Sequence, residues 1–515
     1  MAVVTPVARR PRRPVILLSG FAAIAEAVWM GVPQASDVLE VLHLGRPRDA
    51  GARFRLPTLR RPRLRLSGLL TRELSIGEAS FVLMASFLFS ALLGAVRQVL
   101  FNAEFGAGSE ASAFYAAIRL PDALFSLIAG GALSSAMIPV LLSTSSEDGA
   151  EAAARLVSLV LNALLAAFML LVLAGELLTP AFVTHLLAPG FDRSTSATTE
   201  SLTRLMLLQP LILAVGSVAT AVLNSRNQFG LTALSVASHN LGLIAGIVAT
   251  RVHPTLGIYG PALGVLAGAA LQVLFLLPGL LGGGFRYRFL LDLGDRRLRQ
   301  VTALLVPNGL AVGVAYTGFI VDTAFASQAP QAGALPAVHN AFMLVGLPIA
   351  LLGQAVGQSA FPRLAAYATA ERWRDMARTL LRALGAAVAL AVPALVGLIV
   401  LGRLAIRILF EHGRFGESAG SLTYQVLALY SVALPVYVAA ELLVRGLIAL
   451  RDTRTPLLTN TVQITGRAAI MAWLVPTLGV LAIPIAFAAM ATIEAVALGA
   501  VLGTRLRRRL QPVAL

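Results

Sequence analysis

The sequence predicts an all-α polytopic membrane protein with about twelve membrane-spanning helices and no soluble catalytic domain. Hydrophobic residues fill 57% of the 515 positions, and charged residues only 13%. Soluble domains carry about 25% charged residues. Mean hydropathy is +0.81. Apolar stretches near the ~20-residue length that crosses a bilayer as a helix recur along most of the chain. Glycine is common inside them, which suits close helix packing in lipid.

Residues 1–75 differ from the rest. They hold thirteen arginines, Arg9, Arg10, Arg12, Arg13, Arg60, Arg61, Arg63 and Arg65 among them, around one apolar stretch from Val15 to Val32. We expect a basic cytoplasmic tail, partly disordered, with an interfacial helix on anionic headgroups. The alternatives are a signal segment, an extra span or a start codon assigned too early; Glu26 inside the apolar stretch counts against the first two.

Twelve spans follow, expected near 79–101, 117–142, 154–178, 202–224, 233–250, 259–281, 300–326, 338–361, 379–401, 421–446, 456–476 and 479–502. All 41 basic residues are arginine, and the net charge is +16. The arginines alternate between connections. With the tail inside, seventeen fall on inner connections, including Arg226, Arg296, Arg372, Arg451 and Arg505, against six on outer ones. The positive-inside rule therefore puts both termini in the cytoplasm. This distribution also explains the charge without nucleic acid, and membrane lipids are the expected partner.

The chain repeats itself. "LIAGGALSSAMIPVL" from Leu127 and "LLGQAVGQSAFPRL" from Leu351 align at a shift of 223, which pairs Gly130 with Gly353, Ala132 with Ala355 and Pro139 with Pro362. "LTRLMLL" at Leu202 and "LTYQVLAL" at Leu422 open spans 4 and 10. Two parallel six-helix lobes are expected. Their bounds are 76–285 and 286–502, followed by a basic cytoplasmic tail at 503–515.

Charged residues inside spans are costly and mark function. Candidates are Arg97 in span 1, Arg119 and Asp122 three residues apart in span 2, and Asp322 in span 7. Asp322 lies in span 7, the span 1 equivalent of the second lobe, and is expected to pair with Arg97 as the lobes close. Glu441 and Arg445, four apart in span 10, suggest a local pair. The chain has no cysteine, so thiol chemistry is excluded. Its six histidines, His239 and His339 included, show no metal-ligand spacing. His239 reads as a hydrogen-bonded packing residue. No enzyme activity is expected, because no catalytic set is visible.

Seven runs in order then resemble the MurJ/MviN family of lipid II flippases, within the superfamily of multidrug and polysaccharide exporters. They are "FGAGSEASAFYAAIRLPDALFSLIAGGALSSAMIPVL" from Phe105, "APGF" from Ala188, "LNSRNQFGLTALSVASHNLGLI" from Leu223, "DTAFAS" from Asp322, "GQSAFPRLA" from Gly357, "FEHGRF" from Phe410 and "RDTRTP" from Arg451. The resemblance covers roughly residues 76–502. It implies a central cavity lined by spans 1, 2, 7 and 8, and transport of undecaprenyl-diphosphate-linked peptidoglycan precursor to the outer leaflet by alternating access. It also implies a place in the bacterial inner membrane beside the cell-wall synthesis machinery, working as a monomer.

The resemblance matches Arg97 and Arg119 to basic cavity positions of the family; with Asp122 beside Arg119 they are the expected substrate-binding residues, and Asp322 and Glu110 the expected gating or ion-coupling ones. No cofactor is expected; the membrane potential or a coupling cation would drive transport. Ala91, Phe125 and Met343 stand where the family usually carries arginine, and Ser112 where it usually carries aspartate. The family also commonly has two further helices. Three alternatives therefore stay open: a flippase for another polyprenyl-linked glycan, an ion-coupled amphiphile exporter, and a transport-inactive envelope scaffold. An isolated Asp322 would favour cation coupling, and a positive cavity a diphosphate lipid.

Overall fold

The computed structural model describes residues 74–128, 132–282 and 287–510. The tail expected at 1–75 lies outside the described residues but for its last two positions, as do Gly130 and Arg286. Among the described residues, every regular element is a helix.

Ten helical stretches are long and apolar enough to cross a bilayer. Span 1 is Ile76–Phe105, span 3 Gly149–Phe182, span 4 Arg193–Ser225, span 5 Phe229–Val252 and span 6 Tyr259–Gly282. Span 7 is Arg296–Gln328, span 8 Ala334–Thr369, span 9 Trp373–Leu409 and span 10 Glu417–Ala449. The last stretch, Arg454–Leu510, holds two helices packed on each other, Arg454–Leu478 and Ala482–Leu510, which are spans 11 and 12. Span 2 is in two pieces, Arg119–Ser126 and Ala132–Glu147, each too short to cross alone. A short helix, Ser109–Ala117, precedes it.

Helices overrun the apolar windows that predicted them. Span 9 was expected at 379–401 but extends to Trp373 and Leu409. Arg374 and Arg378 lie at one end and Arg403 and Arg407 at the other. Their aliphatic stems can lie along the helix while the guanidiniums reach water, so the helix outlasts its apolar window.

Packing repeats with a period of six spans. Spans 1 and 5, 2 and 3, 2 and 4, 3 and 4, 4 and 6, and 5 and 6 pack together in the first half. Their counterparts 7 and 11, 8 and 9, 8 and 10, 9 and 10, 10 and 12, and 11 and 12 pack together in the second. Two parallel six-helix lobes result. Within the first, Gly242 and Gly246 of span 5 face Gly260, Gly264 and Gly268 of span 6. A Cβ on Gly264 would stand 2.5 Å from the Gly242 carbonyl oxygen, so only glycine permits this backbone contact.

The lobes meet along span 7, which packs on both pieces of span 2, and across one end of the molecule. There the loop around Arg414 closes on the end of span 1. The Arg414 amide donates to the Ala103 carbonyl at 2.8 Å. Gly413, at φ +59, lies flat on the Ala103 carbonyl, and a Cβ on Gly106 would come within 2.6 Å of the Arg414 carbonyl oxygen.

Just below this end, a buried polar network ties span 1 to span 8. Gln98 Nε2 donates to Asn340 Oδ1 at 2.8 Å and to Tyr115 Oη at 2.6 Å, and Asn102 Nδ2 donates to Asn340 Oδ1 at 3.2 Å. All four side chains are buried. In so apolar a setting, hydrogen-bonded amides are directional glue between helices.

Candidate functional site

Three neighbouring cavities run between and into the lobes. The first, about 120 Å³, is lined by Arg97, Arg119, Asp122, Tyr115, His239 and His339 with their apolar neighbours. The second, about 230 Å³, shares Arg119 and His339 with the first and adds Asp322, Thr323, Met343 and Tyr430. The third, about 540 Å³, shares Phe319, Asp322 and Phe342 with the second. It continues past Glu441, Gln463, Arg467 and Glu494 to Thr453 and Pro456, beside the Arg451–Arg454 turn.

Arg97 and Arg119 therefore converge on one cavity. Arg97 Nη1 donates to Asn240 Oδ1 of span 5 at 3.1 Å, and Asn240 Nδ2 is itself held by the Ser90 carbonyl at 2.9 Å. The guanidinium is anchored toward the cavity. Arg119 opens the first piece of span 2 and turns to span 7: its Nε donates to Thr323 Oγ1 at 3.1 Å, and its guanidinium lies 5.5 Å from the Phe319 ring centroid. Asp122 lines the same cavity, with the Tyr316 hydroxyl at 3.5 Å.

Asp322 does not pair with Arg97. Its Oδ1 lies 3.4 Å from Arg467 Nε of span 11, with both side chains buried. Span 7 packs on span 11, so its inward carboxylate meets the partner within its own lobe. Gly318, one turn earlier, makes the room: a Cβ there would stand 2.5 Å from Arg467 Nη2. Asp322 is thus not isolated.

The expected Glu441–Arg445 pair is also absent among the described residues. Glu441 lines the largest cavity, whereas the Arg445 stem packs on Gly357 of span 8, 3.4 Å from where a Cβ would sit. Glu110 lies away from all three cavities, at the closed end, where its Oε2 is 3.3 Å from Arg414 Nη1. It joins the two lobes there.

The lining reaches beyond spans 1, 2, 7 and 8. Span 5 brings His239, span 10 Glu441, span 11 Arg467 and span 12 Glu494. Arg467 and Glu494 were legible by the rule that singled out Arg97, since each sits inside an apolar window. His239 is not the hydrogen-bonded packing residue expected of it; its ring faces the first cavity. The roles of Gln98, Asn102 and Asn340 have no local signature, because an amide in a span shows nothing of its partner. Among the described residues no group of three or more His, Asp or Glu is placed to hold a metal.

A Burkholderia cenocepacia protein named "Lipid II flippase MurJ" is 30% identical over 378 residues, 72% of this chain and 72% of its own length. A Rhizobium meliloti protein named "Probable lipid II flippase MurJ" is 26% identical over 394 residues, 76% of this chain and 73% of its own. Among solved structures, "Lipid II flippase MurJ, inward closed conformation" superposes with a TM-score of 0.71 at 22% identity, covering 83% of this chain and 90% of that one. An inward-facing multidrug resistance MATE family transporter of the MOP superfamily superposes with a TM-score of 0.67 at 13% identity, covering 82% and 96%. At those identities the two structures share the fold. The sequence profile described as "Lipid II flippase MurJ" matches residues 101–513, and on that extent of match this chain belongs to the lipid II flippase MurJ family.

Proposed function

We propose that this chain carries undecaprenyl-diphosphate-linked peptidoglycan precursor from the inner to the outer leaflet of the bacterial plasma membrane by alternating access. The observation that carries this is the convergence of Arg97 and Arg119, from two helices of one lobe, on a cavity that His339 of the other lobe also lines. Guanidiniums suit a diphosphate because charge-assisted, paired N–H donors match its oxygens. Family membership supports the substrate class.

The arginine asymmetry between connections supports an outward closed end and cytoplasmic termini, with the largest cavity opening inward. Because Arg467 already neutralises Asp322, we read the driving force as the membrane potential and not a free cation on Asp322. The protein is proposed to act as a monomer alongside the cell-wall synthesis machinery.

Complementation of a bacterium with conditional loss of its own flippase tests the function. Growth with lipid II reaching the outer leaflet is expected. Inner-leaflet accumulation despite normal expression would overturn it, and rescue of a different polyprenyl-linked glycan would redirect it. Orientation is read separately by labelling Leu293→Cys, on the exposed connection before span 7. Labelling from outside would reverse the assignment.

A further inference from the structure

We propose that His239 and His339 are substrate-contacting residues that, once protonated, complete the positive charge facing a diphosphate-linked lipid. This rests on the function proposed above. Both rings line the cavity that holds Arg97 and Arg119, and His339 reaches the next cavity as well. They come from opposite lobes, His239 from span 5 and His339 from span 8.

The charge count motivates the assignment. A diphosphate joined to a lipid on one side and a sugar on the other is a diester with two fixed negative charges, and it does not titrate near neutrality. Arg97 and Arg119 face it together with Asp122, which leaves one net positive charge in the cavity. Two imidazoliums would more than make up the difference. Ala91, Phe125 and Met343, at positions where the resembled family carries arginine, cannot.

The rings are also free to act. Neither His239 nor His339 makes a hydrogen bond to another side chain or to backbone among the described residues, and both are only half-buried against the cavity. Both rings are therefore open to a ligand in the cavity. His339 is held in place by stacking on Tyr115, with ring centroids 4.1 Å apart. The Tyr115 hydroxyl is fixed in turn by Gln98. Besides the two arginines and Asp122, the titratable groups around the rings are Tyr115, and Asp322 and Tyr430 beside His339. Asp322 is committed to Arg467. A dianion bound beside an imidazole favours its charged form, so binding can draw a proton onto the ring. Binding would then take up protons, and charged rings from both lobes would close on the same anion.

The test uses the full-length protein in nanodiscs and a heptaprenyl analogue of lipid II. Wild-type affinity should tighten about tenfold from about pH 8 to about pH 5.5, the gain expected of one added charge-assisted hydrogen bond. Calorimetry in buffers of different ionisation enthalpy should show proton uptake. The His239→Gln/His339→Gln variant should lose most of the proton uptake and with it most of the pH dependence, any remainder belonging to Asp122 in the same cavity. Each single variant should lose part of the uptake, which keeps the test decisive if the double variant misfolds. An unchanged pH profile and undiminished uptake in the variants would overturn the histidine assignment while leaving the arginine site standing. Failure of the wild type to bind at any pH, or binding that ignores Arg97→Ala, would overturn the underlying function instead.

Discussion

Asp322 and Arg467 form a buried ion pair within the second lobe, 3.4 Å apart, with 9% and 6% of their side chains exposed. The Arg467 guanidinium also lies 5.8 Å from the Phe487 ring centroid, so span 7 is tied through span 11 to span 12. Removing one member of such a pair leaves a buried charge uncompensated, typically at about 3–5 kcal/mol. Asp322→Asn and Arg467→Gln should each lower the thermal midpoint in detergent. The double variant should recover most of the loss. Additive losses in the double variant would show that the two side chains act independently.

Arg97→Ala should abolish flipping in proteoliposomes with expression retained. Arg97 lies near the end of span 1, where an arginine can simply reach for headgroups. Here it is drawn inward to Asn240 and lines the cavity. Wild-type flipping by the variant would return the residue to a headgroup role.

Gly413→Ala should loosen the closed end. Gly413 has φ +59 and rests on the Ala103 carbonyl, so a methyl group must push the Arg414 loop off span 1. The chain lacks cysteine, so a single reporter can be placed at Ala341, which is fully buried. Maleimide should label Ala341→Cys slowly in the parent and at least about tenfold faster in the Gly413→Ala background, a difference of about 1.4 kcal/mol in opening. Equal rates would mean that this loop does not hold the lobes together.

Deleting residues 2–70 should leave the helical bundle intact. The first described contact of the chain is the Leu74 amide donating to the Asn227 carbonyl at 3.1 Å, beyond the deletion. Monodisperse protein on size exclusion, with an unchanged thermal midpoint, is the expected result. Aggregation would assign the segment a structural role.

The helices and their repeat were legible because they are local properties. An apolar window and its arginine flanks decide where a span lies whatever it packs against, so spans 6, 10 and 11 fall within a few residues of expectation. Span 2 is the instructive miss. Its hydropathy reads as one crossing, yet the helix breaks after Ser126. Hydropathy does not distinguish a continuous helix from two pieces end to end.

By itself, then, the sequence determined the class, the span positions, the repeat and the intramembrane charges, since burying a charge in lipid is costly wherever it occurs. The tertiary structure decided which of those charges meet. Spacing could put Arg119 and Asp122 on one helix, but the pairing of Asp322 depends on residues more than a hundred positions apart, where packing alone sets distance. Span 7 lies on span 11 and Gly318 leaves space for a guanidinium, so Asp322 met Arg467 and not Arg97. The same packing brought His239 and His339, scattered in sequence, to the lining of one cavity.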